Sequence, residues 1–268
     1  MSFHFHKDRQ LYFEHQCQNA LSYVIPFIED YKPITETTRV LEIGCGEGGV
    51  MKAFIERGAH AVGVELDEIK YERAIRFLED GLNRGQVRII KKNIYDADFQ
   101  DDPSMRFDVI VLKDVIEHIY DQPKLMNLMH IYLKPGGVIF FGFPPWQMPF
   151  GGHQQVCQKK WLSRLPWFHL LPRSLYHAVL RGGGEMERTV HVLDEIRDTR
   201  ITLEQFERYT RQTQYRIVRR TLYLINPIYR YKFGLRPRKQ FALLGQLPYL
   251  RNYLTTCGYY LLSSDRTR

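Results

Sequence analysis

The chain has 268 residues, 44% of them apolar and 25% charged, proportions that suit one large globular domain or a domain carrying an insertion. No apolar run approaches the roughly 20 residues that cross a bilayer, and the polar, histidine-rich start is no signal sequence, so a cytoplasmic enzyme is the expectation. The net charge of +8 is uneven: from Ile201 onward there are 13 Lys/Arg against 3 Asp/Glu, yet Tyr215-Arg216-Ile217-Val218-Arg219-Arg220 has the spacing of a solvated strand, which weakens nucleic acid as a partner without excluding it.

Residues 1–38 predict a helical cap, with helical apolar spacing from Leu11 to Ile28 interrupted at Pro26. Arg39 to Ile43 reads as a buried strand running into glycines, and Val50 to Arg57 as a helix closed by Gly58. His60 to Glu65 is a second strand, and Asp67 is an N-cap for a helix from Glu68 to Leu82. Val87 to Lys91 and Phe107 to Leu112 follow as strands, then a helix capped by Asp121, then a fifth strand from Gly137 to Phe143. Regularity ends at Pro144-Pro145. Residues 144–200 are rich in Trp, Phe and His and predict a partly helical insertion over the strand ends. Residues 201–268 resume with a helix near Thr202–Gln212 and strands near Tyr215–Leu224 and Thr255–Ser263. The connection from Asn226 to Arg251 is too long for a hairpin and predicts a second functional loop. Alternating strands and helices predict an α/β, doubly wound sheet with its ligands at the carboxyl ends of the strands. Cys17, Cys45, Cys157 and Cys257 form no CxxC pair, so free thiols are expected and no metal.

The segment Val40 to Gly49, VLEIGCGEGG, is the most informative. Glycines at a strand end let backbone approach a ligand, and the next helix offers unpaired N–H groups. Glu65 follows Gly44 at the end of the second strand, where a carboxylate accepts bonds from ribose hydroxyls. Gly44, Gly46 and Gly49 also fit the GxGxxG dinucleotide fingerprint, so the loop alone is ambiguous. Glu42 favours a ligand carrying an ammonium group and no pyrophosphate.

Together with FDVIVLKDVIEHI (Phe107 to Ile119) and YLKPGG (Tyr132 to Gly137), the loop resembles the class I S-adenosylmethionine-dependent methyltransferases of small-molecule type, with their "LExGCGxG", "leH" and "LKPGG" signatures. The resemblance covers roughly Arg39 to Phe143. It implies a seven-stranded, Rossmann-like sheet whose last strand is antiparallel, with S-adenosylmethionine as methyl donor and S-adenosylhomocysteine as product. By position it places Gly44, Cys45 and Gly46 under the methionine part, Glu65 at the ribose, Leu66 beside the adenine, and Asn93 and Ile94 near the adenine amino group. Lys113 matches a position that contacts the methionyl moiety through its main chain. Tyr12 is either a cover over the cofactor or a core aromatic.

On the acceptor side the candidates are His118, just past the fourth strand, and His153 in the glycine-flanked loop after the fifth. Asp114 and Glu117 read more readily as helix-terminal carboxylates than as bases. The segment Phe143-Pro144-Pro145-Trp146 lacks the Asn or Asp that nucleic-acid amino-methyltransferases carry. The expected function is methylation of a small molecule or glycan at oxygen. RNA or protein methylation through the basic C-terminal region, and a non-catalytic scaffold, are the alternatives. The apolar insertion suits either an acceptor lid or a homodimer contact.

Overall fold

A computed structural model of the chain describes residues 8–96, 99 and 102–266. Helix α1 (Arg9–Asn19) begins at Asp8, whose carboxylate accepts the Leu11 N–H, and runs through a π-helical turn (Ala20–Val24) into α2 (Ile25–Glu29). Pro26 does not interrupt the helix as its sequence suggests. The wide turn just before it, with Ile25 N–H bonded to the Ala20 carbonyl, makes room for a ring that lacks its own donor.

Strand β1 (Arg39–Ile43) leads through the glycine loop to α3 (Gly49–Glu56) and β2 (His60–Val64). Asp67 caps α4 (Glu68–Phe77) as expected, accepting the Lys70 N–H at 2.9 Å. The single helix expected from Glu68 to Leu82 is instead two. Leu78 leaves helical geometry at φ −110°, ψ 16° with its side chain buried, and α5 (Glu79–Asn83) restarts beyond it. After β3 (Val87–Ile90) come β4 (Phe107–Lys113), α6 (Gln122–Tyr132) capped by Asp121, and β5 (Leu133–Phe143). β5 starts earlier than the sequence indicates: Leu133 opposes Phe107, and regular pairing resumes at Val138 opposite Val109.

The insertion folds as α7 (Lys160–Arg164), α8 (Arg173–Gly182) and α9 (Glu187–Thr199), joined by 3-10 turns. It has a hydrophobic centre of its own, in which Trp146, Leu162, Tyr176, Leu180 and Leu193 meet. Helix α10 (Leu203–Gln212) opens with a Thr202–Gln205 capping box and leads into β6 (Tyr215–Ile225). The long connection then holds α11 (Tyr229–Phe233), a two-residue strand β7 (Arg238–Lys239) and two further helical turns before β8 (Cys257–Ser264).

The strand order is β3-β2-β1-β4-β5-β8-β6-β7. β1 to β5 are mutually parallel, and β8 runs antiparallel between β5 and β6. The sheet therefore has the expected antiparallel last strand but eight strands rather than seven. The extra one is the short edge β7 inside the long connection, which pairs with Tyr223 and Ile225 of β6.

Period-two alternation separates the two faces. Leu41, Ile110, Ile139 and Phe141 pack with Leu125, Met129 and Phe206 on one side. Val40, Val109, Val138 and Phe140 pack with Val24, Ile28 and Phe54 on the other. Each fully buried Leu or Phe contributes about 1.5–3 kcal/mol relative to exposure. β1 lies between β2 and β4, so the order reverses at its carboxyl end, and the ligand crevice opens there.

A candidate two-chambered methyl-transfer site

The glycine loop is held from three directions. Glu65 Oε2 accepts the Gly46 N–H at 2.7 Å, and its Oε1 accepts the N–H groups of Leu66 and Asp67, both at 2.9 Å. The buried Glu47 accepts Arg9 Nε of α1 at 2.7 Å and an Arg73 guanidinium N–H of α4 at 3.0 Å. Gly49 lets α1 approach closely, since a Cβ there would stand 2.5 Å from the Phe13 carbonyl oxygen. Gly46, at φ +56°, has nothing within 4 Å of where its Cβ would be, so its bare backbone faces open space.

That space is a cavity of about 200 Å³ lined by Tyr12, Glu42, Gly44, Cys45, Gly46 and Lys113, with Arg9, Gln16, Lys70 and Asp114. Of the residues singled out from the sequence, it brings these first six together. Glu65 lies beneath the loop, directed at Gly46. Leu66 and Asn93 are exposed and outside the lining; the Asn93 side chain accepts the Tyr95 N–H at 3.1 Å. Ile94 is buried in the core, and its carbonyl accepts the Tyr132 hydroxyl at 3.0 Å.

Glu42 is the electrostatic anomaly of this cavity. It is 4% exposed, and its Oε2 has no hydrogen-bond partner among the described residues. Burial pushes its carboxyl up to about 8, against the opposing pull of Lys113. Lys113 is itself buried but stays charged: its ion pair with Asp114, Nζ to Oδ2 at 2.6 Å, outweighs the cost of burial and raises its pKa. Asp114 stands at φ +56°, which turns its carboxylate off the end of β4. Its side chain is 41% accessible, yet it sits on a cleft floor with protein on every side.

Tyr12 and Asp114 form a shared wall with a second, larger cavity of about 430 Å³. The insertion lines it with Met148, Phe150 and His153, and the long connection with Asn226, Tyr229 and Lys232; Glu117 also faces it. Burial, with Lys113 nearby, lowers Lys232 to about 8 despite Asp114.

His118 and His153, the two sequence candidates, do meet: their rings are 5.0 Å apart at 74°. His153 occupies the left-handed region at φ +54° in a rigid loop. Its neighbour Gln154 is fully buried and bonds the Pro149 carbonyl at 3.1 Å and His169 Nδ1 at 2.8 Å, while His169 Nε2 donates to the Trp146 carbonyl at 2.8 Å. Burial and the nearby His118 hold His153 down at about 4, and burial likewise lowers His118.

The sequence reading passed over Arg9, Gln16 and Glu47, whose roles depend on how α1 crosses the loop. It also passed over Glu117 and Asp114 as site residues, although their spacing in Asp114-Val115-Ile116-Glu117-His118 places them beside His118. Tyr229 and Lys232 were foreshadowed only by the length of the connection that carries them.

Comparison with known proteins places this geometry. The family model described as "Methyltransferase domain" matches residues 13–177, more than half of the chain. A ubiquinone biosynthesis O-methyltransferase of Idiomarina loihiensis is 34% identical over 116 residues, 43% of this chain and 46% of that protein. The chain spans less than half the length of the curated relatives it matches, 42% to 46% of three of them. Among solved structures, an S-adenosylmethionine-dependent methyltransferase from Clostridium acetobutylicum superimposes with TM-score 0.56 at 12% identity, covering 93% of this chain and 92% of that one. A Haemonchus contortus phosphoethanolamine N-methyltransferase in complex with S-adenosyl-L-methionine gives TM-score 0.57 at 16% identity, covering 93% and 52%. The chain thus belongs to the methyltransferase-domain family, and it shares its fold with the solved S-adenosylmethionine-dependent methyltransferase from Clostridium acetobutylicum.

Proposed function

We propose that the protein transfers a methyl group from S-adenosylmethionine, bound in the smaller cavity, to a hydroxyl of a small acceptor held in the larger one. The observation that carries this reading is the pair of chambers sharing Tyr12 and Asp114 as a wall, with the glycine loop and the unpartnered Glu42 carboxylate lining the smaller one. The cofactor supplies an electrophilic methyl carbon on its sulfonium.

The residues present suit that cofactor. Glu42 Oε2 gives the ammonium of the methionine part the charge partner that the protein itself withholds. Glu65 already accepts three N–H groups; a carboxylate has about four acceptor positions, so one on Oε2 remains for a ribose hydroxyl. Gly46 leaves room for the chain that links them. Leu66, Asn93 and Ile94 keep their proposed places around the adenine only if the β2 and β3 ends frame it from outside the lined cavity.

On the acceptor side, residues 144–200 act as the lid and 226–251 as the second wall. Methyl transfer needs alignment of oxygen, carbon and sulfur and exclusion of water more than it needs a strong base. His153 lines this chamber, and the ring of His118 packs against it. Three arginines of the C-terminal segment are engaged within the molecule: Arg220 with Glu207, Arg251 with Glu204 and Glu207, Arg219 with Asp30. That favours a small acceptor over RNA. The O-methyltransferase name of the curated relatives supports oxygen as the methylated atom.

The test is calorimetric titration with S-adenosylhomocysteine. Micromolar affinity is expected, with a loss of at least tenfold, about 1.4 kcal/mol, in Glu65→Ala. No measurable binding by the folded wild-type protein overturns the reading.

A further inference from the structure

Glu117 is hard to account for as a structural residue. It is 5% exposed, both of its carboxylate oxygens are buried, and neither has a hydrogen-bond partner among the described residues. Leaving a buried carboxylate unpaired is costly, and that cost is relieved by a hydrogen-bond donor or a cation. Among the described residues no side chain donates to it. The protein supplies two imidazoles: one oxygen of Glu117, one ring nitrogen of His118 and one of His153 all lie within 4.8 Å of one another.

We propose that Glu117, His118 and His153 bind a divalent transition-metal ion at the floor of the acceptor chamber. The inference deepens the methyl-transfer reading and rests on it for the role of the ion, although not for the binding itself. Ligand atoms at about 2.0–2.2 Å from one cation lie roughly 3 to 4.4 Å apart, so small side-chain adjustments close the set. Two nitrogens and one oxygen favour manganese, iron, cobalt or zinc over magnesium or calcium, which prefer oxygen alone. A ligating histidine binds the ion through the lone pair of one ring nitrogen.

The ligands are also held from behind. The Glu117 carbonyl accepts the Thr199 hydroxyl at 2.7 Å from the end of α9, and the buried Gln154–His169 pair fixes the loop of His153. Thus the insertion positions two of the three ligands. Asp114, three residues before Glu117, adds negative charge beside the site and belongs to the wall shared with the cofactor chamber.

Three protein ligands leave coordination positions open toward the chamber. An acceptor hydroxyl coordinated there loses its proton to solvent more readily than a free one. Its oxygen then attacks the methyl carbon, and the carbon–sulfur bond breaks with its electron pair remaining on sulfur, so the sulfonium becomes a neutral thioether. This makes the weak basicity of His153 an advantage, because the ring is needed as a ligand and not as the proton acceptor.

The test uses the full chain, stripped with chelator, titrated with Mn²⁺ and followed by electron paramagnetic resonance, with Co²⁺ absorption as a second probe. One ion per chain is expected, displaced by Zn²⁺ and not by Mg²⁺. Affinity should fall at least tenfold in Glu117→Gln and in His153→Ala, with S-adenosylhomocysteine affinity unchanged in both. His118→Ala serves as the alternative where either variant fails to melt cooperatively. Absence of Mn²⁺ and Co²⁺ binding at millimolar concentration, or binding that survives these substitutions, overturns the cation site. Loss of S-adenosylhomocysteine binding by the wild type would instead overturn the methyl-transfer reading.

Discussion

Glu42 shows how one side chain can report on a ligand before the ligand is seen. Its carboxyl is held at about 8 by burial, against 4.5 for a freely solvated glutamate. An acid whose pKa is raised by folding binds more protons folded than unfolded. Its stabilising contribution is therefore full below 4.5 and is lost as pH rises through about 8. The melting temperature of the free protein should decline over that interval more steeply than that of Glu42→Gln, and the difference between the two curves isolates this residue. An ammonium ligand prefers the ionised carboxylate, so affinity for S-adenosylhomocysteine should climb over the same interval and lose that slope in Glu42→Gln. Glu42 was legible in the sequence because strand periodicity and the following glycines fix where it points. Glu117 was not: its spacing is equally that of an ordinary helix-terminal acid, and only packing by distant segments buries its two oxygens without a partner among the described residues.

At the scale of elements, legibility followed the locality of the cause. β1 and the Asp67 and Asp121 caps are set by neighbours within a few residues, and the sequence reading found all three. The break at Leu78, the early start of β5 and the edge strand β7 depend on what packs or pairs against them from elsewhere, and it found none. The insertion was anticipated in position and helical character, but its separate core was hidden, because short amphipathic pieces do not announce which of their faces meet. That core has a measurable consequence. Leu193 is fully buried within it, and Leu193→Ala should cost about 2–5 kcal/mol in denaturant unfolding of the insertion. Affinity for S-adenosylhomocysteine should be unaltered, since no residue of the insertion lines the smaller cavity.

In the whole molecule, part of the concentrated positive charge of the C-terminal third ties its elements together. Arg219 ties β6 to Asp30 and to the Phe27 carbonyl, and Arg251 joins the end of the long connection to α10 through Glu204 and Glu207. The same connection and the insertion build nearly all of the larger chamber, whereas α1 and residues 42–114 build the smaller. The two chambers touch only through Tyr12 and Asp114, so donor use and acceptor choice are written in different stretches of chain. Such modularity invites transplantation: a chimera carrying a relative's segment in place of residues 144–200 should keep its grip on S-adenosylhomocysteine in calorimetry while exchanging the range of molecules it methylates. A partition of only two side chains is what would let selection, or an engineer, rewrite the guest without disturbing the reagent.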